Sequence, residues 1–276
     1  MTRPTDTAAF AHRWCELWEH DYPQMVRECY HDEVELVHAG WGERGHLHGA
    51  DALLATEHRL KELIPDHRNT VLRVVNGHDW MVVESLITGT SPGDPERMAC
   101  PAVVWWRFAE DGRIAHETAY WEWSRRRPDD GTVQGALPDG AGGARSPQFA
   151  AALAARLGEL WTHDPERMVT ELYAADCRFE QLGSGTQGVL EGREALLEAE
   201  RELLEVLPRP ERRMTIERAD VDGDVIAVAF TIEGLVKGST PLQPSPGTVV
   251  LTLDEDDRIR SDRAYWRLRR ARKGSD

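Results

Sequence analysis

Apolar positions recur at helical spacing in residues 7–19, where Phe10, Trp14, Leu17 and Trp18 share one face. Asp21 followed by Pro23 reads as a helix cap with a first-turn proline and opens a second short helix to about Tyr30. The short apolar segment from Val34 to His38 predicts a strand. Ala50 to Leu63 predicts a third helix, stopped by Pro65. Three longer strands follow, over about 71–76, 80–89 and 101–108. The turn Glu110-Asp111-Gly112 then leads into a last strand over 113–123. Helices first and a run of strands after them predict an α+β fold.

The same order returns further along. Leu17-Trp18 recurs as Leu160-Trp161, 143 residues on, and the offset holds without a gap for about 49 residues. His20-Asp21 matches His163-Asp164, Met25-Val26 matches Met168-Val169, and Tyr30 matches Tyr173. After a two-residue insertion the offset becomes 145; Arg113-Ile114 matches Arg258-Ile259, and Ala119-Tyr120-Trp121 matches Ala264-Tyr265-Trp266. One indel over that length marks a duplication, and two copies of so long a unit make a tandem pair and not a solenoid. The stretch between them, rich in Gly, Pro, Asp and Arg, has no apolar periodicity. The expected organisation is a first domain over 1–124, a linker over 125–147 and a second domain over 148–276.

Within the predicted strand over 80–89, Met81, Val83, Ser85 and Ile87 answer to Ile226, Val228, Phe230 and Ile232, a mostly apolar face expected to be core. The alternate face, with Val82, Glu84 and Leu86 against Ala227, Ala229 and Thr231, is mixed and expected to meet a pocket or solvent.

The segments Leu47-His48-Gly49-Ala50-Asp51-Ala52-Leu53 and Leu190-Glu191-Gly192-Arg193-Glu194-Ala195-Leu196 resemble a "GxxAL" helix opening. Gly112-Arg113-Ile114 through Tyr120-Trp121-Glu122 resembles a closing "G-R-I … D-Y-W-D" strand. With three N-terminal helices before the sheet, the chain resembles the nuclear-transport-factor-2-like superfamily, and within it the SnoaL-like polyketide cyclases and their relatives. The resemblance implies two tandem cone-shaped half-barrels, each of three helices and a curved antiparallel sheet around a deep apolar pocket. It also implies that the two pair sheet to sheet, an intramolecular pseudo-dimer that leaves the chain free to be monomeric. This superfold hosts many functions, so fold alone does not choose among them.

Position against the family narrows the chemistry. In ketosteroid isomerase-like members the base follows the first strand, where His38 and Gln181 stand here; Gln181 does not titrate. Where limonene epoxide hydrolase-like members carry an Arg and an Asp, Ser85 and Ile87 stand, so that catalytic set is not kept.

Reactive side chains are unevenly shared. Ten of the eleven histidines and eight of the ten tryptophans lie in the first copy. Its Trp41, His46, His48, Trp105, Trp106, His116 and Trp123 face Ser184, Val189, Glu191, Val250, Leu251, Ser261 and Leu268 in the second. Drift between copies explains this as well as function does. If function explains it, the first copy holds the larger and more polar pocket, with the second as scaffold. Its binding side chains would be Trp18, Trp41, His46, His116 and Trp106. His38 would be the general acid or base, because imidazole titrates near neutrality. Glu84, where the second copy has Ala229, and Glu122 would assist it, and Tyr120 could donate to an oxyanion. Tyr120 recurs in the second copy, which favours a structural role.

His46-x-His48 invites a metal reading with His38 or Glu43, yet no third ligand has a diagnostic spacing, and no metal or other cofactor is expected. The net charge of −15 argues against nucleic acid and anionic membranes as partners. Met1 to Phe10 lacks a signal peptide's apolar run, and Cys15, Cys29, Cys100 and Cys177 form no CxxC pair. Reduced thiols in a cytoplasmic protein are expected. Two functions remain: a cofactor-independent enzyme cyclising or isomerising an apolar polyketide- or terpenoid-like molecule, and a binding protein or pseudoenzyme without turnover.

Overall fold

The computed structural model describes residues 4–39, 45–93, 96–121, 123, 126–129, 143–182, 188–236, 241–266 and 269–270. The chain divides into two compact units, Met1–Leu137 and Pro138–Asp276.

The first unit opens with α1 (Thr7–His20) and α2 (Tyr22–Cys29). Asp6 caps α1 by accepting from the Ala9 amide at 2.9 Å, and Asp21 caps α2 by accepting from Gln24 at 2.9 Å. The chain then enters β1 (Tyr30–His38) and β2 (His46–His48), crosses through α3 (Ala50–Leu63), and continues into β3 (Arg68–Asn76), β4 (Met81–Gly89), β5 (Met98–Phe108) and β6 (Ile114–Tyr120). Gly49 caps α3 with φ 84°, a left-handed conformation that costs glycine nothing. Gly192 does the same with φ 84° in the second unit, which is why the "GxxAL" opening recurs around a glycine.

The sheet order is β2-β1-β6-β5-β4-β3. It is mixed, not wholly antiparallel, because β1 lies parallel to β6, with Leu36 beside Glu117 and His38 beside Ala119. A parallel neighbour needs a long crossover, supplied here by β2, α3, β3, β4 and β5. Residues 127–128, expected in a linker, form a short β7 (Arg127–Pro128) paired with β5. Residues 125 and 130–142 of the expected linker lie outside the described residues, and its last residue, Pro147, already begins a helix.

Helix faces carrying Trp14, Leu17 and Trp18 pack on the sheet face carrying Met81, Val83, Ile87, Cys100, Val104 and Trp106 to make the core. Each large side chain fully buried there contributes about 1.5–3 kcal/mol. The four cysteines are buried and free. Burial pushes the thiols of Cys15 and Cys29 up to about 12 and Cys177 up to about 11, which makes them inert at neutral pH.

The second unit repeats the plan with α4 (Pro147–His163), α5 (Pro165–Leu172), β8 (Tyr173–Gln181), β9 (Val189–Glu191), α6 (Arg193–Val206), β10 (Arg213–Asp222), β11 (Val225–Glu233), β13 (Ser245–Leu253) and β14 (Ile259–Tyr265). Its main sheet runs β10-β11-β13-β14-β8-β9, while β12 (Leu242–Gln243) pairs with β15 (Arg269–Arg270). Among the described residues no helix is long and apolar enough to cross a membrane.

Candidate active site in the first unit

A narrow cavity of about 40 Å³ lies in the first unit. Trp14 and Trp18 of α1 and Leu53, Thr56, Glu57 and Leu60 of α3 form one wall. The sheet contributes Leu36 and His38 from β1, Glu117 and Ala119 from β6, Ser85 and Ile87 from β4, Ala102 and Val104 from β5, and Asn69 from β3; Trp121 follows β6. Alternation along each strand puts these side chains on the single sheet face that the helices cover.

Two carboxyl groups dominate its chemistry. Glu57 is half-buried, and its Oε2 accepts the Trp18 indole N–H at 2.6 Å. Burial pushes its carboxyl up to about 7; the Trp18 hydrogen bond works against this and the charge of Glu117 adds to it. Glu117 is 6% exposed. Its Oε2 receives the Tyr30 hydroxyl at 2.5 Å and the Trp106 indole N–H at 2.8 Å. Burial raises its carboxyl as well, with both hydrogen bonds opposing. Tyr30 in turn accepts the Trp14 indole N–H at 3.0 Å, and burial, helped by Glu117, holds its hydroxyl well above the ordinary range.

His38 lines the cavity, with its ring set edge-on to Trp121 at 4.8 Å between centroids. Burial pushes its imidazole down to about 3, so the ring is neutral at pH 7. The expectation that it titrates near neutrality is therefore corrected: a group taken this far out of water pays heavily for a charge.

The other expected residues divide by strand parity. Trp18 lines the cavity, and Trp106 lies deeper on the same face, holding Glu117. Glu84 belongs to the opposite face of β4 from Ser85 and Ile87; it is buried there, with Arg73 of β3 at 3.8 Å. Tyr120 and His116 likewise lie on the face of β6 away from Glu117 and Ala119, and His116 Nδ1 pairs with Glu35 at 3.0 Å. His46 is exposed on β2, where Leu47 is the inward residue. Trp41 and Glu122 lie outside the described residues. The mixed face of β4, expected to meet a pocket or solvent, is buried instead, and the cavity opens on the other face.

Glu57 and Glu117 are not among the site residues expected from the sequence; in the repeat they stand where Glu200 and Asp262 stand in the second copy. In the second unit Tyr173 donates to Asp262 Oδ2 at 2.6 Å, as Tyr30 does to Glu117, and burial pushes Asp262 up to about 7. Glu200 differs from Glu57 in having an internal cation. Arg212, fully buried, reaches Glu200 Oε2 at 3.3 Å and lies 3.6 Å over the Trp161 ring. Phe230 takes the place of Ser85 and is fully buried in the second core. The second unit also has an open groove of about 500 Å³ beside Thr162, His163 and Arg213. That groove is a different kind of site, on the flank of α4 and β10.

A SnoaL-like domain model matches residues 11–117 and again 150–261. No curated protein matches the chain. Among solved structures, a protein of ketosteroid isomerase-like fold from Catenulispora acidiphila DSM 44928, solved with trimethylamine, is 23% identical with a TM-score of 0.37, covering 41% of this chain and 83% of that one. A proposed SnoaL-like polyketide cyclase from Jannaschia sp. CCS1 is 22% identical with a TM-score of 0.37, covering 45% and 91%. A SnoaL-like protein of unknown function from Burkholderia thailandensis E264 is 20% identical with a TM-score of 0.35, covering 43% and 99%.

Proposed function

The chain belongs to the SnoaL-like family, and on that footing we propose that the cavity of its first unit is the working site of a small-molecule cyclase or isomerase in which Glu57 takes and returns a proton. The observation that carries this is a carboxyl group held at about 7 inside an aromatic-walled cavity. Near neutral pH such a group is present both as acid and as base, the condition under which general acid–base catalysis is most effective. In an isomerisation it would accept the α-proton of a carbonyl compound and return it to the γ-carbon of the resulting dienolate. His38, a neutral imidazole, can offer a ring N–H to the developing oxygen charge without acting as the base. The tryptophan walls exclude water, and Glu117, tied to Tyr30 and Trp106, keeps the Glu57 carboxyl basic through its charge. The second unit serves as scaffold: Phe230 fills the place of Ser85, and Arg212 holds Glu200.

The narrowness of the cavity favours a second reading, a binding protein for a compact ligand without turnover. Conversion of a small β,γ-unsaturated cyclic ketone to its conjugated isomer, followed by ultraviolet absorbance, separates the two. Saturable acceleration that falls about 10²–10⁴-fold in Glu57→Gln supports catalysis. No acceleration by the wild-type chain, or full activity in Glu57→Gln, overturns it.

A further inference from the structure

Two acids and one unfilled acceptor face the first unit's cavity, beside the hydroxyls of Thr56 and Ser85. Glu57 and Glu117 each bring a carboxyl group, and Asn69, 6% exposed, lines the wall with an Oδ1 that accepts no hydrogen bond among the described residues. The indole donors nearby are already spent: Trp18 on Glu57, Trp14 on Tyr30 and Trp106 on Glu117. No lysine or arginine lines the cavity among the described residues, and His38 is neutral. A buried acceptor without a donor is costly, so Asn69 Oδ1 calls for a donor from outside, and the two acids beside it favour one that carries a positive charge.

The second unit carries its own version of that charge. There a guanidinium lies against the tryptophan and the glutamate that correspond to Trp18 and Glu57. In the first unit His67 takes the place of Arg212. Its ring nitrogens lie 3.0 Å from the carbonyl oxygens of Ile64 and Trp18, so they face the backbone and not Glu57.

We propose that the first unit's cavity binds a compact organic cation, a substituted ammonium group carried by the substrate, held by Glu57, Glu117 and Asn69 among the rings of Trp14, Trp18 and Trp121 that line it. Aromatic faces and carboxylates together recognise alkylated ammonium ions, the soft cation–π attraction adding to the ion pair once water is excluded. The net charge of −15 draws cations toward the protein in general. This rests on the reading of the cavity as the working site and adds the substrate's class to it. It also gives the bound cation a chemical role: its charge favours the ionised form of Glu57 and so readies the base only when substrate is present.

Titration calorimetry of the full chain tests this with choline and its neutral carbon isostere, in which a carbon atom replaces the ammonium nitrogen. Choline is expected to bind at least about tenfold more tightly. Glu57→Gln keeps the shape and is expected to remove most of that difference. Choline binding is also expected to release protons near pH 7, read by repeating the titration in buffers of different ionisation heat. The titratable groups facing Glu57 are Glu117 from β6 and Tyr30 and His38 from β1; Tyr30, held well above its ordinary range, and the neutral His38 contribute no charge to that change. The double variant Ser85→Phe/Ala102→Gly locates the site, because it copies the Phe230–Gly247 pair of the second unit. A Cβ on Gly247 would stand 2.7 Å from the Phe230 ring, so the phenylalanine needs the glycine beside it. Loss of choline binding in that variant supports the inference. Equal or tighter binding of the neutral isostere overturns it, as does choline binding that is unchanged in the double variant or in Glu57→Gln. If the isostere binds better and is lost in the double variant, the cation inference fails while the cavity stands as the working site. Turnover of the ketone without choline binding gives the same division.

Discussion

The Trp18 indole N–H meets Glu57 Oε2 at 2.6 Å, joining α1 to α3 along one wall of the cavity. The bond fixes the carboxyl while burial keeps it from ionising at its usual pH. The sign of its effect on stability follows. The folded state holds this proton more tightly than the unfolded chain, so Glu57 stabilises the fold below about pH 4.5, and that contribution is lost as pH rises to about 7. Relative to Glu57→Gln, the wild-type chain is expected to be more stable at about pH 5 than at about pH 8. Urea midpoints of both proteins at the two pH values measure this; a difference independent of pH contradicts it.

His38 acts in the opposite sense. Its folded value of about 3 lies below the ordinary 6.5, so the neutral ring stabilises the fold above about pH 6.5 and that contribution is lost as pH falls toward 3. His38→Gln is expected to flatten the acid limb of the stability curve. It is also expected to leave the neutral limb of the pH–rate profile in place, because His38 is not the proton carrier. A neutral limb that disappears in His38→Gln returns the base to His38.

Tyr30→Phe removes the hydroxyl that Glu117 accepts and the acceptor that Trp14 uses. Tyr173→Phe removes only the Asp262 bond. Losing a buried hydrogen bond to a carboxylate costs about 1.5–3 kcal/mol. Both variants are expected to be destabilised, Tyr30→Phe more than Tyr173→Phe, as read by chemical denaturation. Wild-type stability in either variant contradicts the network.

Phe230→Ser puts the first copy's residue into the second core. The loss of a buried ring is expected to cost about 3–5 kcal/mol, measured as a lowered Tm. A cost below about 1 kcal/mol would mean that Phe230 does not fill the core as described.

The helices, the succession of the longer strands along the chain and the duplication were legible in the sequence because periodicity, caps and the repeat all act locally. Asp21 and Asp164 cap their helices as the pattern implies. The parallel pairing of β1 with β6 was not legible, since strand direction depends on the crossover and not on either strand's composition. The site was half visible. His38 and Trp18 were found by position, but a one-residue step in parity separates Glu117, which faces the cavity, from His116, which does not. Glu57 was hidden among the charges of α3, in Thr56-Glu57-His58-Arg59, which reads as a solvated helix face. The differences between the copies do not mark these acids, which recur in both: Glu57 with Glu200, Glu117 with Asp262. A shared buried acid beside a differing neighbour, Ser85 against Phe230 or His67 against Arg212, is the signal that would have found the site.

The central claim is that Glu57 exchanges its proton near neutrality inside the first unit's cavity. Carbon NMR titration of the chain labelled at its glutamate carboxyl groups, with Glu57→Gln assigning the signal, measures this directly. The account predicts a Glu57 midpoint at about 7; a midpoint at the ordinary 4.5 contradicts it.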